Sequence, residues 1–248
     1  WALADEFDTV EKPFMRMDTA NGYDCHSGLD NVAIFTTPVE APEDNAYVWC
    51  NAQSDGEWGT AGNWMRGGCV VSEIPCKNDT VQFPVGTKPW DISLRTDRTT
   101  AVLDVAGEMK LSCGKTLMAT KFEGDGKIIL AGAAIASVST ELQADIPNDI
   151  EIADGTENTI YTQNVGSEAS QSVKLNLLGN LSGSGQVTLS PPNDSQRGGV
   201  YLYGDNREFT GKGIFSRRNS VGRSAYRFMT PFATGTDASW DVGESSTG

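Results

Sequence analysis

The stretch VKLNLLGNLSGSGQVTLS (173–190) places two short runs of alternating apolar and polar residues on either side of a segment rich in Gly, Asn and Ser. Such alternation is typical of a half-buried β-strand, and such segments are typical of turns. The pattern recurs from Thr80 onwards in the further runs WDISL (90–94), AVLDV (101–105), KIILA (127–131), DIEIA (149–153) and VYLYG (200–204). Almost no long helical pattern interrupts these runs, so the sequence predicts an all-β chain.

The spacing of the runs bears on how the strands are arranged. Taken at three strands per coil, it gives coils of roughly 20–30 residues, which is within the range of repeat arrays. Most gaps lack the Asn-Gly turn of tight hairpins, and this favours parallel stacking in a β-helix. A β-sandwich or several antiparallel hairpins stay open as alternatives, because alternation alone does not distinguish parallel from antiparallel pairing.

The charge balance restricts the classes of partner. The 248 residues include 19 Lys and Arg against 33 Asp and Glu, which gives a formal net charge of −14. Nucleic acids and anionic membrane surfaces select Lys and Arg, so this balance disfavours both. No apolar stretch approaches the ~20 residues of a membrane span. We interpret the charge as a solvated exterior, with calcium capture by clustered Asp as the weaker alternative.

The cysteines favour a structural role. A zinc site is disfavoured because no CxxC pair occurs and His26 is the only histidine, and a cysteine nucleophile lacks an oriented histidine base. Cys69 and Cys76 flank a short loop that a disulfide could close, and Cys50 could instead pair with either of them. Disulfides of this kind indicate an oxidising compartment. The five cysteines are Cys25, Cys50, Cys69, Cys76 and Cys113.

The first part of the chain differs in composition from the rest. Residues 1–46 contain only short apolar runs and end in an acidic segment with prolines, so we interpret them as an N-terminal cap or linker-like segment. Residues 47–248 form the second region, with a Trp-rich opening followed by the strand ladder. Trp58 and Trp64 lie among Gly and Asn, where no amphipathic stripe can form. We expect them to anchor an irregular segment by burying their rings, roughly 150–250 Å² each.

Two groups of motifs in this second region resemble a known family. GEWGTAGNW (56–64), followed by Pro75 and DTVQF (79–83), resembles the opening of bacterial autotransporter-associated β-strand repeat proteins. Blocks of that family start with G-x-W-x-x-x-x-N-W, a proline and D-x-V-x-F. GNLSGSGQVTL (179–189) and LYGDNREFTG (202–211) are similar to its G-x-G-x-L-x-L and G-x-N-x-[FY]-T-G signature.

The resemblance implies a right-handed parallel β-helix, a solenoid, in a secreted or surface-exposed protein. It also implies that Gly204, Asn206 and Gly211 shape turns. The cysteines depart from the family pattern. A fainter resemblance, to the amnionless ectodomain, covers Asn63-Trp64, Pro75-Cys76 and Phe83-Pro84, and it implies an extracellular receptor domain that binds a protein.

Carboxylates near glycine turns are the first candidate for chemistry. EGDG (123–126) places Glu123 near Asp125, and DGTE (154–157) places Asp154 near Glu157. Glycoside cleavage needs two carboxylates that face each other across the bond, about 5–10 Å apart, and the sequence does not assign an opposite carboxylate to either turn. Asp-Gly is also a common turn dipeptide, which is the reading we favour. The sequence indicates no catalytic residue, no cofactor-binding loop and no metal-ligand set.

One cluster of basic and aromatic residues is the candidate contact for a glycan or another partner, since cations and aromatic rings together suit acidic ligands. The cluster consists of Arg217, Arg218, Arg223, Tyr226 and Arg227. The function we predict is a non-catalytic secreted or cell-surface scaffold or passenger segment for display, adhesion or assembly. Its partners would be an extracellular glycan or protein, or copies of itself. The alternatives are a polysaccharide-active β-helix enzyme and an amnionless-like receptor domain.

Overall fold

The computed structural model describes residues 45–139, 143–164, 173–190, 198–216 and 225–242. Strands make up 54% of the structure and helix is almost absent, which confirms the all-β class. The strands, in chain order, are β1 (Tyr47–Trp49), β2 (Trp64–Arg66), β3 (Cys69–Val70), β4 (Thr80–Phe83), β5 (Trp90–Ser93), β6 (Arg98–Val105), β7 (Glu108–Ser112), β8 (Thr116–Glu123), β9 (Lys127–Ala131), β10 (Ala134–Ser139), β11 (Gln143–Ile146), β12 (Asp149–Ile152), β13 (Glu157–Asn164), β14 (Val173–Leu177), β15 (Leu181–Gly183), β16 (Gln186–Ser190), β17 (Gly198–Leu202), β18 (Lys212–Phe215), β19 (Ala225–Phe228) and β20 (Ser239–Val242). A 3₁₀ helix, Ala61–Asn63, precedes β2.

These strands form three sheets. Sheet A has eleven strands in the order β3-β2-β1-β4-β6-β8-β10-β13-β16-β18-β20. Sheet B has five, in the order β5-β7-β9-β12-β15, and sheet C has four, in the order β11-β14-β17-β19. All neighbouring strands in sheets B and C are parallel, and so are those of sheet A from β1 and β4 onwards. Only β1–β2 and β2–β3 pair antiparallel among the described strands.

The chain returns to each sheet after one circuit. In sheet A, Leu117 pairs with Ile135, 18 positions on. In sheet B, Ile150 pairs with Leu181, 31 positions on. The circuits therefore span close to the range that the sequence predicted. Such regular parallel sheets are compatible with a β-helix.

The number of strands per circuit departs from the prediction in the first half of the chain. From β4 to β10 the chain alternates between sheets A and B only, and sheet C begins at β11. The circuits are shorter there: Leu117 pairs with Ile135, 18 positions on, whereas Ile135 pairs with Ile160, 25 positions on. The shorter circuits lack the residues for a third strand. From β10 to β16 the chain visits sheets A, C and B in turn, and from β16 to β20 it alternates between sheets A and C. Among the described residues, only an isolated parallel bridge from Phe209 to Gly183 continues sheet B there.

The core is built from columns of side chains in register. Leu117, Ile135, Ile160 and Leu189 occupy successive paired positions of sheet A, and each is fully buried. Because side chains alternate across a strand, one apolar residue in two suffices to fill the interior. Each column removes apolar surface from water at every step, and this burial stabilises the stack at about 25 cal/mol per Å².

The strands predicted from alternation are confirmed. Each of the runs at 90–94, 101–105, 127–131, 149–153, 173–178, 186–190 and 200–204 coincides with or overlaps a strand, and DTVQF contains β4. The N-terminal segment 1–46 stays a prediction, because residues 1–44 lie outside the described ranges. Among the residues described, no helix has the length and apolar character needed to cross a bilayer.

The two ends of the described stack differ in how their aromatic residues are covered. At the β1 end, Trp49 in β1, Trp64 in the antiparallel strand β2 and Trp58 between them in the chain are at most 1% exposed. At the β20 end, Phe228 continues the inward column of Leu202, yet it remains 37% exposed. The antiparallel strands thus seal the first end of the core.

Candidate functional site

Trp58 and Trp64 belong to an aromatic cluster that also contains Trp49 and Phe83. The ring centroids of Trp58 and Trp64 are 4.6 Å apart, and the rings of Trp49 and Trp64 are 4.8 Å apart, both edge to face. The indole Nε1 of Trp64 donates a hydrogen bond to the Trp58 carbonyl at 2.9 Å. Edge-to-face pairs are favourable beyond their buried area, so this cluster is a structural anchor at the β1 end.

A shallow cleft of about 650 Å³ lies beside this cluster. Arg66 stacks on the Tyr47 ring with its Cζ 5.1 Å from the centroid, and the Tyr47 hydroxyl donates to Glu73 Oε2 at 3.5 Å. Burial raises the pKa of Tyr47 above its ordinary value, and the charge of Asp79 raises it further. Cys76 also lines the cleft. The described residues here mix charges of both signs, and no nucleophile–base pair is present among them.

The cysteines do not form the predicted staple. Cys69 lies in β3 opposite Arg66, whereas Cys76 lies in a loop where its N–H donates to Asp79 Oδ2 at 2.7 Å. Cys76 is a free thiol, so the structure contains no Cys69–Cys76 disulfide. The β2–β3 hairpin fixes the position of Cys69, and the turn closed by Asp79 fixes that of Cys76. Cys50 is also a thiol, and burial raises its pKa. Cys25 lies outside the described residues.

Gly204 and Gly211 lie where one circuit of the chain touches the circuit before it. A Cβ on Gly204 would come within 2.1 Å of the Gly179 carbonyl oxygen, and a Cβ on Gly211 within 2.0 Å of the Gly185 oxygen. Real Cβ atoms do not approach backbone that closely, so only glycine fits at either position without moving the backbone. These glycines set the close approach of successive turns.

Asn206 joins three successive passes of the chain. Its Oδ1 accepts a hydrogen bond from the Leu181 N–H at 2.6 Å, and its Nδ2 donates to the Ala233 carbonyl at 2.7 Å. The side chain is 1% exposed, so these bonds satisfy backbone groups that water cannot reach. Asn206 therefore acts between circuits as well as within its own turn.

Asn158 has the same role, which the sequence did not reveal. Its Oδ1 accepts from the N–H groups of Gly132 at 2.8 Å and Ala133 at 3.1 Å, and its Nδ2 donates to the Gln186 carbonyl at 3.3 Å. It occupies an inward position in β13, in register with the buried Val187 of β16. An asparagine at an inward position of a strand is the signal that could have found it, because such a residue needs backbone partners.

Asp125 and Asp154, one from each of the two acidic glycine turns, lie far apart. Asp125 comes before the start of β9, and Asp154 comes after the end of the neighbouring parallel strand β12. The strands themselves are four to five residues long, at roughly 3.3 Å per residue. Asp125 and Asp154 thus flank opposite ends of sheet B, which does not give the spacing of about 5–10 Å that a carboxylate pair needs.

A different group of carboxylates does come together on the outer face of sheet A. Asp104 in β6 is in register with Glu123 in β8, and Asp125 follows closely in the chain. Burial raises the pKa of the Asp104 carboxyl, and the charges of Glu123 and Asp125 raise it further. A hydrogen bond from Gln82 Nε2 at 3.1 Å acts in the opposite direction and lowers this pKa. No set of residues that could hold a metal ion occurs in the described ranges.

Replacing Asp104 by asparagine is expected to stabilise the protein slightly at pH 7. The folded state binds the Asp104 proton more tightly than the unfolded state, so stability falls as pH rises from the ordinary pKa of 3.8 through the raised folded value. Asparagine removes that loss and can still accept the Gln82 hydrogen bond. Asp104 is partly exposed, so we expect at most about 0.5 kcal/mol.

Urea unfolding of the two proteins at pH 7 and at pH 3 checks this prediction. The difference between them should shrink at the lower pH, where Asp104 is protonated in both states. Asp91→Asn provides a control on sheet B. A gain at pH 3 as large as that at pH 7 would show that ionisation is not the cause.

Part of the predicted basic cluster can be placed. Tyr226 and Arg227 are neighbours in β19 and therefore point to opposite sides of sheet C. Tyr226 packs against the core, with its ring 4.4 Å from that of Phe215, whereas Arg227 lies outside, over the Tyr201 ring at 5.6 Å. These two residues do not form one contact surface. Arg217, Arg218 and Arg223 lie outside the described residues.

Comparisons with known proteins give no relative: no family model, no curated protein and no solved structure matches this chain.

Proposed function

We propose that this chain is a right-handed parallel β-helix that serves as a non-catalytic secreted or cell-surface scaffold for display, adhesion or assembly. The observation that carries the proposal is the register of sheet A, in which parallel strands stack buried columns from one circuit to the next. Stacks of this kind make elongated bodies in which each repeat contacts only its neighbours. They are suited to spacing or presenting other groups.

The dimensions support a spacer. Sheet A extends over seven parallel steps from β4 to β20. At a strand separation of about 4.8 Å, these steps span roughly 34 Å. Asn158 and Asn206 tie neighbouring circuits through buried hydrogen bonds. Such bonds between rungs add rigidity along the axis, which is what a spacer requires.

The ion pairs on the outer face of sheet B support the interpretation that the charged residues form a solvated exterior. Lys110 lies 3.4 Å from Asp91, and Lys127 lies 3.2 Å from Glu151 and 3.8 Å from Glu108. Exposed pairs of this kind add little stability. They keep the surface polar, and each lysine offsets the negative charge of a carboxylate on a neighbouring strand. The motif resemblance at 56–83 and 179–211 supports the extracellular address within the same proposal.

The proposed extracellular location is tested on cells that make the natural protein. An antibody raised against this chain should label intact cells or the medium, and external protease should remove the label. An internal cytoplasmic protein serves as the control for cell integrity. Label that appears only after the cells are opened, and that survives external protease, would contradict the proposal.

The alternative of a polysaccharide-active enzyme has its own test. The chain should release no reducing ends from a panel of neutral and acidic polysaccharides. Turnover that is lost in Asp104→Asn or Glu123→Gln, and retained in Asp154→Asn, would replace the scaffold by an enzyme that uses the carboxylates of sheet A.

A further inference from the structure

Two cations converge on one aromatic ring on the outer face of sheet C. Lys174 Nζ lies 5.9 Å from the centroid of the Tyr201 ring, and Arg227 Cζ lies 5.6 Å from it. Both cationic residues are exposed, and Tyr201 is half-buried. Ring faces attract cations electrostatically, so Tyr201 holds both charges beside its ring.

The register of the sheet produces this arrangement. Tyr201 in β17 pairs with Arg227 in β19, and Lys174 in β14 pairs with Gly199, two residues before Tyr201. A Cβ on Gly199 would lie 2.8 Å from Tyr201 Cε2, so the absence of a side chain there leaves room for the ring. The three residues come from three successive circuits, 26 to 27 positions apart in the chain.

These cations differ from most others that the structure describes. Lys110, Lys127 and Lys212 each lie within 4 Å of a carboxylate. Neither Lys174 nor Arg227 has such a partner among the described residues. The nearby Asp145 is engaged by Asn176 Nδ2 at 2.7 Å and by Gln143 Nε2 at 3.0 Å. Two exposed and uncompensated cations at one ring are unusual on a chain of net charge −14.

We propose that the patch formed by Lys174, Tyr201 and Arg227 binds an anionic polysaccharide. The inference rests on the proposed extracellular scaffold and supplies the adhesive surface that it needs. Carboxylate or sulfate groups on neighbouring sugars accept hydrogen bonds from the ammonium and guanidinium groups. Tyr201 keeps both cations in place, which lowers the entropy lost on binding.

The overall charge favours a sparsely charged polymer. Duplex DNA carries one negative charge per roughly 1.7 Å, and the negative field of the protein repels such a dense polyanion. A polysaccharide with one anionic group per sugar can instead place single charges at Lys174 and Arg227. The contact should weaken with salt, because exposed charges are screened.

Binding is measured by calorimetry with polygalacturonate, which has a carboxylate on each sugar, and with its methyl ester, which has none. Dextran sulfate and dextran give the same comparison for sulfate. We expect binding to at least one charged polymer at about 20 mM NaCl, its loss at about 500 mM, and no binding to the neutral polymers. Lys174→Gln with Arg227→Gln should weaken binding about tenfold or more.

Lys110→Gln with Lys127→Gln is the matched control, because it changes the net charge equally on sheet B. Tyr201→Phe should retain binding and Tyr201→Leu should weaken it, since only the aromatic variant attracts the cations. Unchanged circular dichroism and melting temperature in each variant show that the stack is intact.

The inference is overturned if no charged polysaccharide binds, if the two double variants behave alike, or if poly-glutamate binds and the polysaccharides do not. Failure of this kind leaves the scaffold proposal standing, because cell-surface exposure is measured independently.

Discussion

Replacing Trp64 by alanine should lower the free energy of unfolding by about 4 kcal/mol, within the range for a buried aromatic residue. Trp64 is fully buried, and its ring is the one that contacts both Trp58 and Trp49 edge to face. The variant also loses the hydrogen bond to the Trp58 carbonyl. Because domains have only about 5–15 kcal/mol of stability, the loss removes a large part of the total. Urea unfolding followed by far-ultraviolet circular dichroism measures it.

Trp90→Ala is the control for this variant. Trp90 is only partly buried, although its Nε1 also donates to a carbonyl, that of Pro84, at 2.8 Å. We expect its loss to cost less than about 2 kcal/mol. Equal destabilisation by the two substitutions would show that the aromatic cluster has no special role in closing the β1 end.

Replacing Asn206 by leucine should cost about 3 kcal/mol. Leucine has a similar size, so the main effect is to leave the Leu181 N–H and the Ala233 carbonyl buried without their partners. Each such orphaned group costs roughly 1–3 kcal/mol. Hydrogen exchange should also become faster at the Leu181 amide, because in the native chain this N–H donates a hydrogen bond to Asn206 Oδ1. Urea unfolding gives the energy, and exchange followed by mass spectrometry gives the location.

Asn180→Leu is the matched control for Asn206→Leu. Asn180 is exposed, and its Oδ1 accepts from the Asp205 N–H at 2.8 Å. Water can replace that bond, so we expect a loss of no more than about 1 kcal/mol. A loss at Asn206 no greater than at Asn180 would mean that the bridge between circuits does not hold the stack together.

The strands that the sequence predicted have apolar residues at their inward positions, as in KIILA and DIEIA. The strands β8, β10 and β13 were not predicted, and their inward positions explain this. Ala119, Ser137 and Thr162 are buried neighbours in register, and they place small or polar residues where the pattern needs large apolar ones. Packing against the circuits on either side makes these segments strands, and that packing is not local in the sequence.

The candidate site was less predictable, because it depends on which residues the register brings together. Arg227 drew attention through its basic neighbours, but the ring it lies over, Tyr201, is 26 positions earlier, and Lys174, the other cation at that ring, is 53 positions earlier. Tyr226 was grouped with Arg227 by proximity in sequence, although adjacent residues of a strand point to opposite faces. The motifs indicated Gly204 and Gly211 as turn residues, whereas their close approach to the preceding circuit and the bridge at Asn158 needed the three-dimensional pairing.

If successive circuits stack in parallel along one axis, distances across sheet B grow with every rung. Asp91 is followed in register by Lys110, then by Ile129, Glu151 and Ser182. In a variant whose native cysteines are serines, spin labels at Asp91 and at each of Lys110, Glu151 and Ser182 in turn report separations of one, three and four rungs. Parallel stacking predicts a steady increase of about 4.8 Å per rung, to roughly 19 Å at Ser182. A separation to Ser182 no longer than that to Lys110, as ribbons folded back on themselves would give, would contradict it.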